Sequence, residues 1–144
     1  MFSKTCEYAI RATIYIALRA LEGERASLAD IAQEIGSPKA FTAKILQQLV
    51  HHGLVDSQKG RTGGFSIEEA DLHTIKLSDI VRAVDGDNLY TVCSLGMKAC
   101  SETRPCPVHH QYKFIREKMI KMMDENLIIN LAQGLKEGRV FLIE

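Results

Sequence analysis

The order of helix breakers in residues 27–66 limits this chain more than any other feature. Ser27, Gly36, Pro38, Gly53 and the glycine-rich run QKGRTGG divide it into two short helical stretches followed by two β-prone ones. Ser27 with Asp30 three residues later marks a helix start, and Leu28, Ile31, Ala32 and Ile35 recur at helical spacing on an inward face. Gly36 stops that helix. Pro38 suits the first turn of the next, where its missing N–H would have no partner anyway. This next helix runs to about His52, with Phe41, Ile45, Leu46 and Leu49 buried and Gly53 as its cap. Its other face presents Lys39, Thr42, Lys44, Gln47, Gln48 and His51. LVDS and FSI around the basic loop predict a hairpin. Upstream, residues 2–22 predict a helix with Ile10, Ile14, Ala17, Leu18 and Leu21 on one face, ended by Gly23. Helix, short helix, tight turn, helix, then basic hairpin is the order of a winged helix-turn-helix. Trihelical units need not touch DNA, but the long-armed polar face and the Lys59/Arg61 loop tip argue for it.

Charge supports the same surface. The 144 residues have a net charge of zero, yet residues 37–65 hold Lys39, Lys44, Lys59 and Arg61 against one acid, Asp56. With 46% hydrophobic and 25% charged residues the composition is that of a globular domain, long enough to bury a core without disulfides. No apolar run nears the ~20 residues of a membrane span. The start MFSKTCEYAIRA has no signal-peptide pattern, so the expected location is the cytoplasm, with no membrane partner. A connector (68–76) leads to a fourth helix, about Ser78–Val84, and a loop from Asp87 to Pro107 follows. From Val108 to about Glu125 the helical period returns. A long helix leaving a small domain has little of its own chain to pack on, which predicts a dimerisation helix. Leu127, Ile128, Ile129 and Leu131 predict a final turn or short helix folding back.

Three of the four cysteines, Cys93, Cys100 and Cys106, fall within that polar loop, with His109 just after it. The clustering argues against inert core thiols, whereas Cys6 has the apolar neighbours of one. Cys106 lies between Pro105 and Pro107, and with Pro107 at the first helical position it would cap the long helix, where the dipole favours thiolate. Four readings stand. Cys93, Cys100, Cys106 and His109 form a legitimate structural zinc set, though without the usual tight knuckle. The wider steps suit an iron–sulfur cluster, whose fourth ligand would then be His109, Glu7 or a group of a partner chain. A thiol–disulfide switch between two of the three is the third reading, and unconnected thiols in a mobile loop the fourth. No Cys–His–Asp order accompanies a supporting glycine-rich turn, so the chain is not read as an enzyme.

Taken together, EYAIRA, the run LADIA…IGSPKAFTAKILQQLVHHGLVDSQKGRTGGF, IKLSDIVRAVDG and CSLGMKAC…CPVHHQYKFIREKM make the chain resemble the Rrf2 family of bacterial transcription regulators, essentially end to end. The resemblance implies a homodimer that binds double-stranded DNA at a partly palindromic operator. It implies an iron–sulfur cluster, 2Fe–2S or 4Fe–4S, held by Cys93, Cys100 and Cys106. Some members add a histidine shortly after the third cysteine, the place of His109. Others add a carboxylate from the first helix of the partner subunit, and Glu7 stands there, where it is equally a first-turn acid that favours the helix dipole. The first cysteine gap is six residues where several members have five, and Lys59 and Thr62 replace a common arginine and glycine. Lys59 can hold a phosphate but lacks the fork for bidentate base reading.

The fold class expected is thus mainly α with a small β-hairpin, a winged helix-turn-helix plus a long dimerisation helix. Residues 1–86 are expected to bind DNA, 87–107 to form the cluster loop and 108–144 to carry dimerisation. Ser37, Lys39, Thr42, Lys44 and Gln47 are expected at the major groove, and Lys59 and Arg61 at backbone or minor groove. The cluster loop would report redox state, nitric oxide or iron–sulfur status to the two reading heads.

Overall fold

Helix α1 (Lys4–Leu21) begins where Ser3 accepts a hydrogen bond from the Cys6 N–H at 3.0 Å. It buries Cys6, Ala9, Ala12, Thr13, Ile14, Ile16 and Ala17, a wider set than one stripe, because it is packed on several sides. Ile10, Leu18 and Leu21 of the expected stripe are only half-buried. The computed structural model describes residues 1–143. In α2 (Leu28–Ile35) Ser27 caps as expected, accepting from the Asp30 N–H at 3.1 Å, and Gly36 closes the helix at φ 64° in the left-handed region. Pro38 stands one residue before α3 (Lys39–His51), which buries Thr42, Ile45, Leu46 and Leu49. Phe41, expected in the core, is half-buried and meets the Tyr8 ring edge-on at 5.8 Å.

The hairpin forms as expected. β1 (Asp56–Gln58) and β2 (Gly64–Ser66) are antiparallel, with Asp56 opposite Ser66, Ser57 opposite Phe65 and Gln58 opposite Gly64. The architecture is mainly helical with this one two-stranded sheet among the described residues, the winged helix-turn-helix that the sequence predicts.

Downstream, three differences stand out. The connector contains a single turn, α4 (Glu69–Leu72), before α5 (Leu77–Asp85), and the cysteine loop opens with another, α6 (Asn88–Thr91). The long helix α7 (His109–Glu125) has Val108 at its cap, so Pro107 is not its first residue and Cys106 is not its N-cap. The closing segment is the short helix expected there, α8 (Ile128–Lys136), folded back along α1. It is held by a backbone exchange in which Leu77 N–H donates to Asn126 O and Ile128 N–H to Ile75 O, both at 2.9 Å.

Two apolar clusters follow. The larger joins α1, α2, α3, α5 and α8 through Ile16, Ile31, Ile35, Ile45, Leu46, Leu49, Ile80 and Ile128, each such side chain contributing about 1.5–3 kcal/mol by leaving water. The smaller holds α7 to α1 and α5 through Cys6, Leu77, Val81 and Met123. Only Met123 and His109 of α7 are buried, whereas Tyr112, Phe114, Ile115 and Met122 are exposed. Among the described residues no helix is long and apolar enough to cross a membrane.

Burial pushes the Cys6 thiol up to about 12, with the Asp85 charge adding to the effect. An acid whose folded value lies above its unfolded one costs nothing while both states are protonated. Stability therefore falls as pH rises from about 9 toward about 12. Thermal midpoints of Cys6→Ala and the unsubstituted chain are expected to converge over that range, and parallel curves would contradict the assignment. Near neutral pH, Cys6 is expected to resist iodoacetamide until the chain unfolds.

Candidate nucleic-acid interface and cysteine centre

An α-helix with Ile45, Leu46 and Leu49 inside must also turn inward whatever lies three or four residues earlier, and that residue is Thr42. Thr42 is fully buried, and its hydroxyl donates to the Pro38 carbonyl at 3.0 Å. Ser37 is buried too, its hydroxyl without a partner among the described residues. Both are therefore corrections to the expected DNA face: Thr42 belongs to the inner stripe of α3 and Ser37 to the turn packed beneath it. The outward stripe keeps Lys39, Lys44 and Gln47, which are exposed together with Gln48 and His51.

Lys59 and Arg61 stand exposed at the hairpin tip. Beside α3 the hairpin leaves a cleft lined by Ala43, Gln47, Val50, His51, Ser57 and Phe65. Cations on α3 and on the wing thus occupy two elements whose spacing is set by packing beneath them. This is the arrangement that lets a short helix enter a major groove while a wing meets the adjoining backbone.

The cysteine centre is built by the loop between α6 and α7. Cys93 is buried, and the backbone N–H groups of Leu95 and Met97 hold its thiol below the ordinary range, with the Cys106 side chain and the Arg116 charge acting the same way. From α7, Arg116 also donates to the Val92 carbonyl at 2.6 Å and so fastens the start of the loop. At the other end His109, itself buried, donates its backbone N–H to the Cys106 carbonyl at 3.0 Å. Its Nδ1 lies 3.4 Å from Cys100 Sγ. Its Nε2 lies 3.5 Å from Glu102 Oε2 and makes no hydrogen bond, while Lys113 grips the other Glu102 oxygen at 2.6 Å. The Lys113 ammonium holds the Glu102 carboxyl below the usual range.

The loop thus sets Cys100 beside His109, and the Cys106 side chain is among the groups that hold the Cys93 thiol low. All four cysteines are free thiols, and among the described residues no three His, Cys, Asp or Glu side chains converge on one metal position. The donor types still suit a thiolate-preferring centre: three sulfurs from one loop, and a buried imidazole with a ring nitrogen lacking a hydrogen bond. His110 is exposed, its ring edge-on to that of His109. Glu7 lies in the first turn of α1 paired with Lys4 at 2.8 Å, and the Lys4 hydrogen bond and charge hold its carboxyl low. Arg116, Glu102 and Lys113 were not legible in sequence as parts of this centre, since their roles depend on how α7 lies against the loop.

Fold and site together define a winged-helix protein with a cysteine loop before a long, partly uncovered helix. The Rrf2 family model, described as iron-dependent transcriptional regulator, matches residues 2–134, and the chain belongs to that family. A putative HTH-type transcriptional regulator of Aquifex aeolicus is 34% identical, covering 98% of this chain and 96% of its own. The HTH-type transcriptional regulator IscR of Xenorhabdus nematophila is 28% identical over 92% of this chain and 77% of its own. Among solved structures, CymR, the global cysteine regulator of B. subtilis, superimposes with a TM-score of 0.76 at 22% identity, covering 92% and 96% of the two chains. T. potens IscR gives 0.73 at 17% identity, covering 97% and 91%. The chain is a transcription regulator of the Rrf2 type.

The corrected surface makes a prediction. Lys44→Ala and Lys59→Ala are each expected to reduce the salt dependence of operator affinity by about one unit of slope, with little change in thermal midpoint. Thr42→Val is expected to do the reverse, costing about 1 kcal/mol of stability and leaving the slope alone. A Thr42→Val protein of normal stability and reduced operator affinity would return Thr42 to the DNA face. The operator for these titrations comes from in vitro selection on a random duplex library.

Proposed function

We propose that this regulator is a homodimer whose affinity for a partly palindromic operator follows the state of its cysteine loop. In the proposed division, residues 1–86 read DNA, 87–107 form the sensing loop and 108–144 hold the two copies together. Lys39, Lys44 and Gln47 face the major groove, and Lys59 and Arg61 meet backbone or minor groove. Dimerisation is assigned to α7 because it leaves Tyr112, Ile115 and Met122 exposed along a helix that its own chain covers on one side only.

The sensing group proposed is an iron–sulfur cluster held by Cys93, Cys100, Cys106 and His109, with Glu7 of a second copy as the other candidate for the fourth ligand. The observation that carries this is the buried His109 imidazole, 3.4 Å from Cys100 and tied through its backbone to Cys106, while Cys93 is held by N–H groups that favour its thiolate. The description of the family as iron-dependent agrees with it. When bound, such a cluster supplies a centre that can be oxidised, degraded or left unfilled.

The chain's own part is mechanical. Arg116 joins the first residue of the loop to α7, and His109 joins its last cysteine to the first turn of the same helix. A loop whose ligands are released no longer fixes the start of α7. The separation of two reading heads, about 34 Å for half-sites one turn apart, would feel that loss. Three free thiols in one loop support a second reading, a thiol switch in which two of them each lose a proton and an electron to an oxidant and form a disulfide.

Cys106→Ala is expected to eliminate bound iron and to shift operator affinity to that of the apo protein. Equal affinity of loaded and apo forms would overturn the switching role. Ile115→Glu is expected to shift the dimer toward monomer in sedimentation equilibrium and to weaken operator binding. A fully dimeric Ile115→Glu protein would remove α7 from the interface.

A further inference from the structure

The wing is too small to hold itself in place. Its strands are three residues each, and a two-stranded hairpin is marginal in water. Its support comes from the connector between α1 and α2. Ala26 exchanges two backbone hydrogen bonds with Phe65, at 2.9 and 2.7 Å, as a fragment of a third strand. The approach is so close that a Cβ on Gly64 would meet the Ala26 carbonyl oxygen at 2.6 Å.

Beside this exchange the Arg25 Nη2 reaches three acceptors: the Asp56 carboxylate at 2.9 Å, the Asp56 carbonyl at 3.4 Å and the Gly64 carbonyl at 2.9 Å. Asp56 opens β1 and Gly64 opens β2, so one guanidinium spans both strands. Ser27, two residues on, caps α2. The seat of the wing and the start of the helix-turn-helix are therefore three consecutive residues.

We infer that Arg25 is a positioning residue for DNA binding, which sets the wing at a fixed place relative to α3 and neutralises Asp56 on the DNA-facing side. Two observations support positioning rather than direct contact. The donor nitrogen is spent on the hairpin, and the side chain is only 25% exposed. Asp56 is the single acid in residues 37–65 and half exposed, so left unpaired its charge would oppose the Lys59 and Arg61 cations of the same hairpin.

The inference rests on the DNA-binding reading, and its test separates the two. Hydrogen exchange reads the seat with no DNA present. In Arg25→Ala the Phe65 and Ala26 amides are expected to exchange faster while those of α1 keep their protection, and unchanged exchange would overturn the seat. Titration of the full-length protein with a duplex selected in vitro reads the consequence. Arg25→Ala is expected to weaken binding about tenfold in the unsubstituted chain but not further in Lys59→Ala/Arg61→Ala, since both changes act through the wing. Additive losses would make Arg25 an independent contact and overturn the inference. Asp56→Ala gives a second check should Arg25→Ala fold poorly. It removes a negative charge facing DNA yet is expected to weaken binding, and a gain in affinity would contradict a positioning role.

Discussion

The rest of the structure depends on the burial of α1. Ala9, Ala12 and Ala17 carry small side chains that let α2, α3, α5 and α8 approach its surface, and Ile16 fills the space between them. The first and last helices of the described residues meet there. The reading head packs on one side and α8, the last helix, on another. The first turn is fixed as well: the Ser3 N–H donates to Asp85 at 2.9 Å, and its hydroxyl bonds the same carboxylate at the end of α5. From that point α6 and the cysteine loop depart. The loop, α7 and the start of α1 enclose a cleft of about 720 Å³, with Met1, Ser3, Cys93, Tyr112, Ile115 and Arg116 among its walls. The cleft thus sets the cysteine loop beside the N-cap of α1.

Sequence reasoning worked where the physics is local. Ser27 and Gly36 bound α2 because a cap and a left-handed closing residue are decided within a few positions. The hairpin was legible from the glycines that let its loop turn, and Cys6 from its apolar neighbours. Other features needed the third dimension. The stripe of α1 was misjudged because periodicity assumes one buried side, and α1 has several. Thr42 was assigned by its polarity, although its place three and four residues before Ile45 and Leu46 already put it inside. Cys106 lost its capping position because α7 starts at His109, a boundary of a few residues on which the helix-dipole argument depended.

The cysteine centre divides in the same way. Its four donors were legible as types and spacing, whereas the approach of His109 to Cys100 was not. Glu102 and Lys113 become neighbours of His109 only when the loop doubles back along α7. Arg116 reaches Val92 across twenty-four positions and Arg25 reaches Asp56 across thirty-one, distances over which a sequence pattern carries no signal. These charged side chains tie the loop to α7 and the wing to the connector before α2.

We propose that the loop holds an iron–sulfur cluster rather than zinc or free thiols alone. The most direct measurement is the iron and acid-labile sulfide content of protein purified without oxygen, with an absorption spectrum of the same sample. Iron and sulfide in near-equal amounts, lost together on exposure to a chelator and air, are the predicted result. Zinc without sulfide, or reactive thiols with no metal, would contradict it and leave a winged-helix regulator whose loop is a brace or a thiol switch.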